Sequence, residues 1–123
     1  GYTLNHTINV VKPGKSGADE IKAMMQNFRA NGPKELAGSK VILTKDYQSL
    51  KATDAEGNVT DINQPEPSNV LQWYTEDGSK VSVRPSGTEP KIKLYLSAVG
   101  ATDAEALSER ETLEESGTKL LGF

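Results

Sequence analysis

The sequence predicts an α+β domain, an antiparallel sheet with helices packed on one face. Three observations carry this. Ile21, Met24, Met25 and Phe28 recur at i, i+3, i+4 and i+7, the single apolar stripe of a helix. Residues 70–75, 80–84 and 91–99 read as strands, with Asp77-Gly78 as a hairpin signal between the first two. Thr102-Asp103-Ala104-Glu105 is a capping box that opens a second helix. Each helix needs an apolar face to bury against, and one face of a sheet supplies it.

In chain order, residues 1–15 alternate weakly (Ile8, Val10) and end in Lys12-Pro13-Gly14-Lys15, a strand-like linker and turn. Ser16 has the position of an N-cap, with Asp19 three residues on. Asn31-Gly32-Pro33 stops the first helix. Val41-Ile42-Leu43 is a short strand. Residues 46–67 are polar, with a turn at Glu56-Gly57-Asn58; they fit a hairpin or an irregular excursion. A type I′ turn is expected at Asp77-Gly78, with Val81 and Val83 then sharing one face. Ile92, Leu94 and Leu96 point one way, Lys93, Tyr95 and Ser97 the other. The last helix is expected to run to about Glu115 and fray at Ser116-Gly117, burying Leu107 and Leu113.

One domain of 123 residues is the natural count, and 35% hydrophobic residues imply a modest core. Net charge is −3, but residues 101–123 hold six acidic and two basic groups, which leaves the remainder at +1. There is no cysteine, hence no disulfide or thiolate metal site. No apolar run approaches membrane length. The negative charge and the lack of a basic stripe argue against a nucleic-acid partner. Asp46, Asp54, Glu56 and Asp61 lack the spacing of a calcium loop and read as solvated loop carboxylates. No metal site is expected in this chain.

The chemistry concentrates in Arg84-Pro85-Ser86-Gly87-Thr88-Glu89-Pro90, between two strands. Arg84 offers a planar fork of donors suited to phosphate oxygens, and Ser86 and Thr88 add hydroxyls. Gly87 lets backbone amides approach an anion or adopt positive φ. The two prolines stiffen the loop. An inward Glu89 would repel phosphate, so it must face away or pair with Lys91 or Lys93. From chemistry alone the loop fits either a phosphate site or an ordinary exposed turn. It is neither a P-loop nor a dinucleotide fingerprint.

The run Lys80-Val81-Ser82-Val83-Arg84-Pro85-Ser86-Gly87-Thr88-Glu89-Pro90-Lys91-Ile92-Lys93-Leu94-Tyr95 closely resembles the phosphate-binding loop of the α-D-phosphohexomutases. The run from Ser68 to Ser79 is similar to the strand and turn before it in the phosphoglucomutase/phosphomannomutase branch. The resemblance implies the last of four domains, with a TATA-binding-protein-like fold, residues 16–123 as the domain and 1–15 as the hinge to the rest. It implies interconversion of hexose 1-phosphate and hexose 6-phosphate through a bisphosphate intermediate, in the cytoplasm.

The family's phosphoserine, its Mg²⁺ loop and its sugar-reading loop lie in the other three domains, and none of these motifs occurs in this chain. No catalytic residue is therefore expected here, and the isolated domain is not expected to turn over. By resemblance, Arg84, Ser86, Gly87, Thr88 and Lys91 hold the phosphate that is not transferred, with Lys93 a further candidate or the solvent face of its strand. Trp73 and Tyr95 are expected to pack the strands, and His6 to be an inert linker residue. The alternatives are a mutase for another phosphosugar, such as a phosphopentose or glucosamine phosphate, and a stand-alone non-catalytic anion-binding module.

Overall fold

The order of elements is β1 (Tyr2–Val11), α1 (Gly17–Ala30), β2 (Glu35–Leu36), β3 (Ser39–Asp46), β4 (Lys51–Asp54), β5 (Val59–Asp61), β6 (Leu71–Thr75), β7 (Lys80–Pro85), β8 (Lys91–Gly100) and α2 (Asp103–Leu120). The structure, a computed structural model, describes residues 1–122; Phe123, the end of the expected domain, lies outside them. The strands form one antiparallel sheet in the order β1-β8-β7-β6-β3-β4-β5, with β2 paired to β3 off this path. This is the expected α+β arrangement.

The register puts the core on one face. Val10, Ile92, Val83 and Leu71, then Leu96, Val81 and Trp73, lie on that side and are buried. Ile21, Met25 and Phe28 of α1 cover it, with the Phe28 and Trp73 rings edge-to-face at 5.6 Å. The second helix covers β8 and β1, with Leu113 fully buried. The stripe read from the sequence is therefore the buried face of α1, with Met24 at its margin.

Some local expectations hold and others are corrected. Residues 2–11 are strand-like as expected, and they pair along their whole length with β8, from Tyr2↔Gly100 to Val11↔Lys91. Within the expected hinge of residues 1–15, the segment 12–15 lies beyond that ladder. His6 is not idle, since its Nε2 lies 3.0 Å from Glu114 Oε1 on α2. Of the two readings open for residues 46–67, the hairpin holds over 51–61: β4 pairs with β5, closed by Gly57 at φ +88°. Ser16 is the N-cap of α1, but its φ and ψ of −91° and 0° are not extended. Its hydroxyl consequently donates to Glu20 Oε1 at 3.3 Å rather than accepting from the helix.

Thr102 is extended and does cap α2: its Oγ1 accepts from the Glu105 amide at 3.1 Å. The helix then continues past Glu115 to Leu120. Gly117 does not end it. A Cβ there would stand 2.4 Å from Leu94 Cδ2, so glycine is what lets the helix lie so close to β8. Ser116 Oγ accepts the Ala37 amide at 2.9 Å, which ties α2 to the β2–β3 turn. The same close approach decides the buried side near the start of α2: Ala106 is fully buried, whereas Leu107 is 45% exposed.

The β6–β7 turn is not type I′. Only Gly78 has positive φ, at +94°, and its amide donates to Thr75 O at 3.0 Å. Thr75 N donates to Ser79 O at 2.9 Å, so the loop is a three-residue connection with a left-handed glycine at its end. This turn meets α2, where Ser79 Oγ donates to Glu109 Oε1 at 3.3 Å.

Burial and the neighbouring Asp77 charge hold the Glu109 carboxyl above its ordinary value of 4.5. Burial would also raise Asp77, but hydrogen bonds from Thr75 and Ser79 leave it below 3.8. The ionised Glu109 is thus disfavoured in the fold, a penalty present at neutral pH and gone below the unfolded value of 4.5. Glu109→Gln is therefore expected to raise the melting temperature by about 1–3 °C at pH 7. Thermal melts should show that advantage shrinking as the pH falls toward 4.5 and vanishing about one pH unit below it; an advantage that persists there would count against this origin.

Candidate functional site

The loop of interest joins β7 to β8, and Pro85 at its entry still pairs with Ile92. Ser86 N donates to Lys91 O at 2.9 Å and closes the loop at its neck. Ser86 Oγ accepts from the amides of Thr88 at 3.3 Å and Glu89 at 3.2 Å. Those two amides are thus engaged within the loop, while the Ser86 hydroxyl proton and the Gly87 amide have no acceptor among the described residues. Lys12 N donates to Pro90 O at 2.8 Å and anchors the far side.

Arg84, Ser86, Gly87, Lys91, Lys93 and Tyr95 line one hollow of about 280 Å³. Thr88 is not among them. It borders a separate depression of about 290 Å³ beside Gly14, Lys15 and Ala18, which Ser86 and Gly87 also line. Gly87 does not have positive φ, and a Cβ built on it would meet nothing within 4 Å. The protein's own packing therefore does not require glycine there.

Glu89 is paired, as its chemistry demands: its Oε2 lies 3.2 Å from Lys91 Nζ. Lys91 thus lines the hollow with a carboxylate beside it. Arg84 and Lys93 differ. They stand directly opposite each other on β7 and β8, and among the described residues neither has a carboxylate partner. Like charges in directly opposed cross-strand positions destabilise a sheet. An anion between them removes that repulsion.

Trp73 packs on the helix side as expected. Tyr95 lies on the opposite, open face, half-buried, and borders a groove of about 570 Å³ that also touches Asn5, Thr7, Gln72, Lys80 and Arg84. The groove was not foreseen, although Lys80, Ser82 and Arg84 share a parity in sequence that places them on one face.

A scan of family models matches residues 8–114 to the phosphoglucomutase/phosphomannomutase C-terminal domain. The chain belongs to that family. The matched span runs from the middle of β1 into α2 and includes the whole of the Arg84 loop.

Among curated relatives, the phosphoglucomutase of Staphylococcus epidermidis is 44% identical over 85 residues, 68% of this chain and 15% of the relative. That of Staphylococcus haemolyticus is 40% identical over 97 residues, 79% of this chain and 18% of the relative. A Staphylococcus aureus phosphoglucomutase is 40% identical over 95 residues, 76% of this chain and 16% of the relative. The chain thus spans under a fifth of the length of the relatives it matches. Among the described residues no three of His, Cys, Asp and Glu converge to hold a metal ion, and no helix is long and apolar enough to cross a membrane.

Proposed function

We propose that this phosphoglucomutase/phosphomannomutase C-terminal domain binds the non-reacting phosphate of a hexose phosphate, within a cytoplasmic enzyme that interconverts the 1- and 6-phosphates through a bisphosphate. The directly opposed pair of Arg84 and Lys93, without a carboxylate partner among the described residues, carries this reading. The guanidinium gives a forked contact, Lys93 a point charge, and the Ser86 hydroxyl and Gly87 amide complete a set of donors. With no atom of the described residues within 4 Å of its Cβ position, Gly87 leaves room for the approach of a ligand. Thr88 contributes from the neighbouring depression only if the loop turns on binding.

The function of such a site is positional. Holding one phosphate fixes the other end of the sugar at the reacting centre, and that binding energy orients the transfer. The phosphoserine and Mg²⁺ that the reaction needs would belong to the other three domains of the parent enzyme. Recognition of phosphate rather than sugar lets the same hollow accept both substrate orientations.

The test is a titration of the ¹⁵N-labelled chain with glucose 1-phosphate, glucose 6-phosphate and inorganic phosphate. Saturable amide shifts from Arg84 to Lys93, similar for all three ligands, are expected. Arg84→Met should weaken each about 10- to 100-fold, the worth of a charge-assisted bidentate contact. Absent shifts, or an Arg84→Met variant that binds as well as the parent, would overturn the proposal.

A further inference from the structure

The open face of the sheet is organised in cross-strand rows. One row runs Asn9, Lys93 and Arg84. The next runs Thr7, Tyr95, Ser82 and Gln72. The third runs Asn5, Ser97, Lys80 and Tyr74. The first row ends in two cations, the second is neutral and hydrogen-bonding, and the third brings a cation back.

Strands β1, β6, β7 and β8 contain no aspartate or glutamate at all. The chain has 17 acids, six of them on α2, so their absence from these four strands is a segregation of charge. The linear sequence has no basic stripe; strand pairing assembles one.

Lys80 is half-buried and has no carboxylate partner among the described residues. Its Nζ lies 5.9 Å from the Tyr74 ring centroid, and Lys45 Nζ lies 5.1 Å from the same centroid. Two ammonium groups thus converge on one ring with only its quadrupole to offset their repulsion. Between Lys80 and Arg84 the floor is neutral. Gln72 Oε1 already accepts from Tyr47 Oη at 2.9 Å and Tyr74 Oη at 3.2 Å, which leaves its NH₂ as the group it can offer a ligand. Lys80 and Arg84 are four residues apart on β7, about 13 Å at strand rise. Both line the same groove, and Arg84 also lines the phosphate hollow.

We propose that Lys80 is the centre of a second anion subsite, so that the groove takes a sugar carrying two phosphates, laid along β7 from the Arg84 hollow to Lys80. Charge complementarity selects the ligand class. A monophosphate satisfies only one end, while the hydroxyl-rich body of a sugar matches the Ser82, Gln72 and Tyr95 floor. This rests on the reading of the Arg84 hollow as a phosphate site. It adds that the bisphosphate has a resting place with both phosphates on this domain.

The experiment compares glucose 1,6-bisphosphate with glucose 6-phosphate on the 123-residue chain, by calorimetry and by amide shifts. The bisphosphate should bind about tenfold tighter, the worth of one further partly screened ion contact. It alone should shift the amides of Lys80 and Gln72. Lys80→Met should remove the difference between the two ligands and Lys80→Arg should keep it. If glucose 6-phosphate fails to bind, or binds independently of Arg84, the phosphate hollow itself is refuted. If it binds through Arg84 but the bisphosphate is no tighter, or shifts nothing at Lys80 in the unaltered chain, only the second subsite is refuted.

Discussion

Trp73→Ala is expected to destabilise the chain by about 3–5 kcal/mol, the range for removing a fully buried aromatic side chain. Total stability for a chain of this length is on the order of 6–18 kcal/mol, so the loss is a large fraction of it. Trp73 is 0% exposed, sits in the middle of the core face of β6, and meets the Phe28 ring of α1 edge-to-face. Removing it leaves a cavity that α1 cannot fill without leaving its seat. The indole N–H has no acceptor among the described residues, so it contributes no hydrogen bond that must be replaced. Trp73→Phe, which keeps most of the ring volume and deletes that unsatisfied donor, is accordingly expected to cost far less, about 1 kcal/mol. Denaturant unfolding measures both, with the midpoint falling at unchanged slope. Equal losses for the two variants would show that ring volume is not what holds α1 in place.

The parts of the fold legible in the sequence are those whose signal is local. The stripe from Ile21 to Phe28 and the alternation through Ile92, Leu94 and Leu96 each report which side is buried within a few residues. The capping box at Thr102 is likewise self-contained. The first strand gives no comparable signal. Its partner β8 lies some eighty residues away, and as an edge strand it buries only Val10 fully. The β4–β5 hairpin is polar because β5 is an exposed edge, with no buried residue to betray its period. Gly117 reads as a helix end because glycine costs about 1 kcal/mol inside a helix. Only the packing against Leu94, invisible along the chain, reverses that reading.

The candidate site divides the same way. Residue types that suit phosphate were readable, as was the choice for Glu89 between facing away and pairing with a base, of which the Lys91 pair is the outcome. The inward-turned Ser86 oxygen, which occupies the Thr88 and Glu89 amides, is a detail of loop closure that composition does not encode. The separation of Thr88 from the Arg84 hollow is another. Lys93 and Lys80 are different: their parity with Arg84 follows from antiparallel register, and that signal was present in the alternation of β7 and β8.

Gly17→Ala is expected to cost about 3 kcal/mol and to weaken phosphate binding although residue 17 contributes no group to the hollow. A Cβ at Gly17 would stand 2.1 Å from the Lys12 carbonyl oxygen and 3.0 Å from Pro90 Cβ. The first contact is with backbone and cannot be relieved by a rotamer change. Lys12 N holds Pro90 O at 2.8 Å, so moving residue 12 moves the exit of the loop, and with it the distance from Ser86 and Gly87 to Arg84. The start of α1 and the anion loop are therefore one packed unit, and glycine is what allows the chain to turn tightly enough to build it. Gly87→Ala is the control for stability: with open space at its Cβ and no positive φ, it should change the melting temperature little. Thermal unfolding and phosphate titration of the two variants separate the effects. If Gly17→Ala loses stability yet binds phosphate as tightly as the parent chain, the turn supports the fold alone and the loop keeps its shape without it.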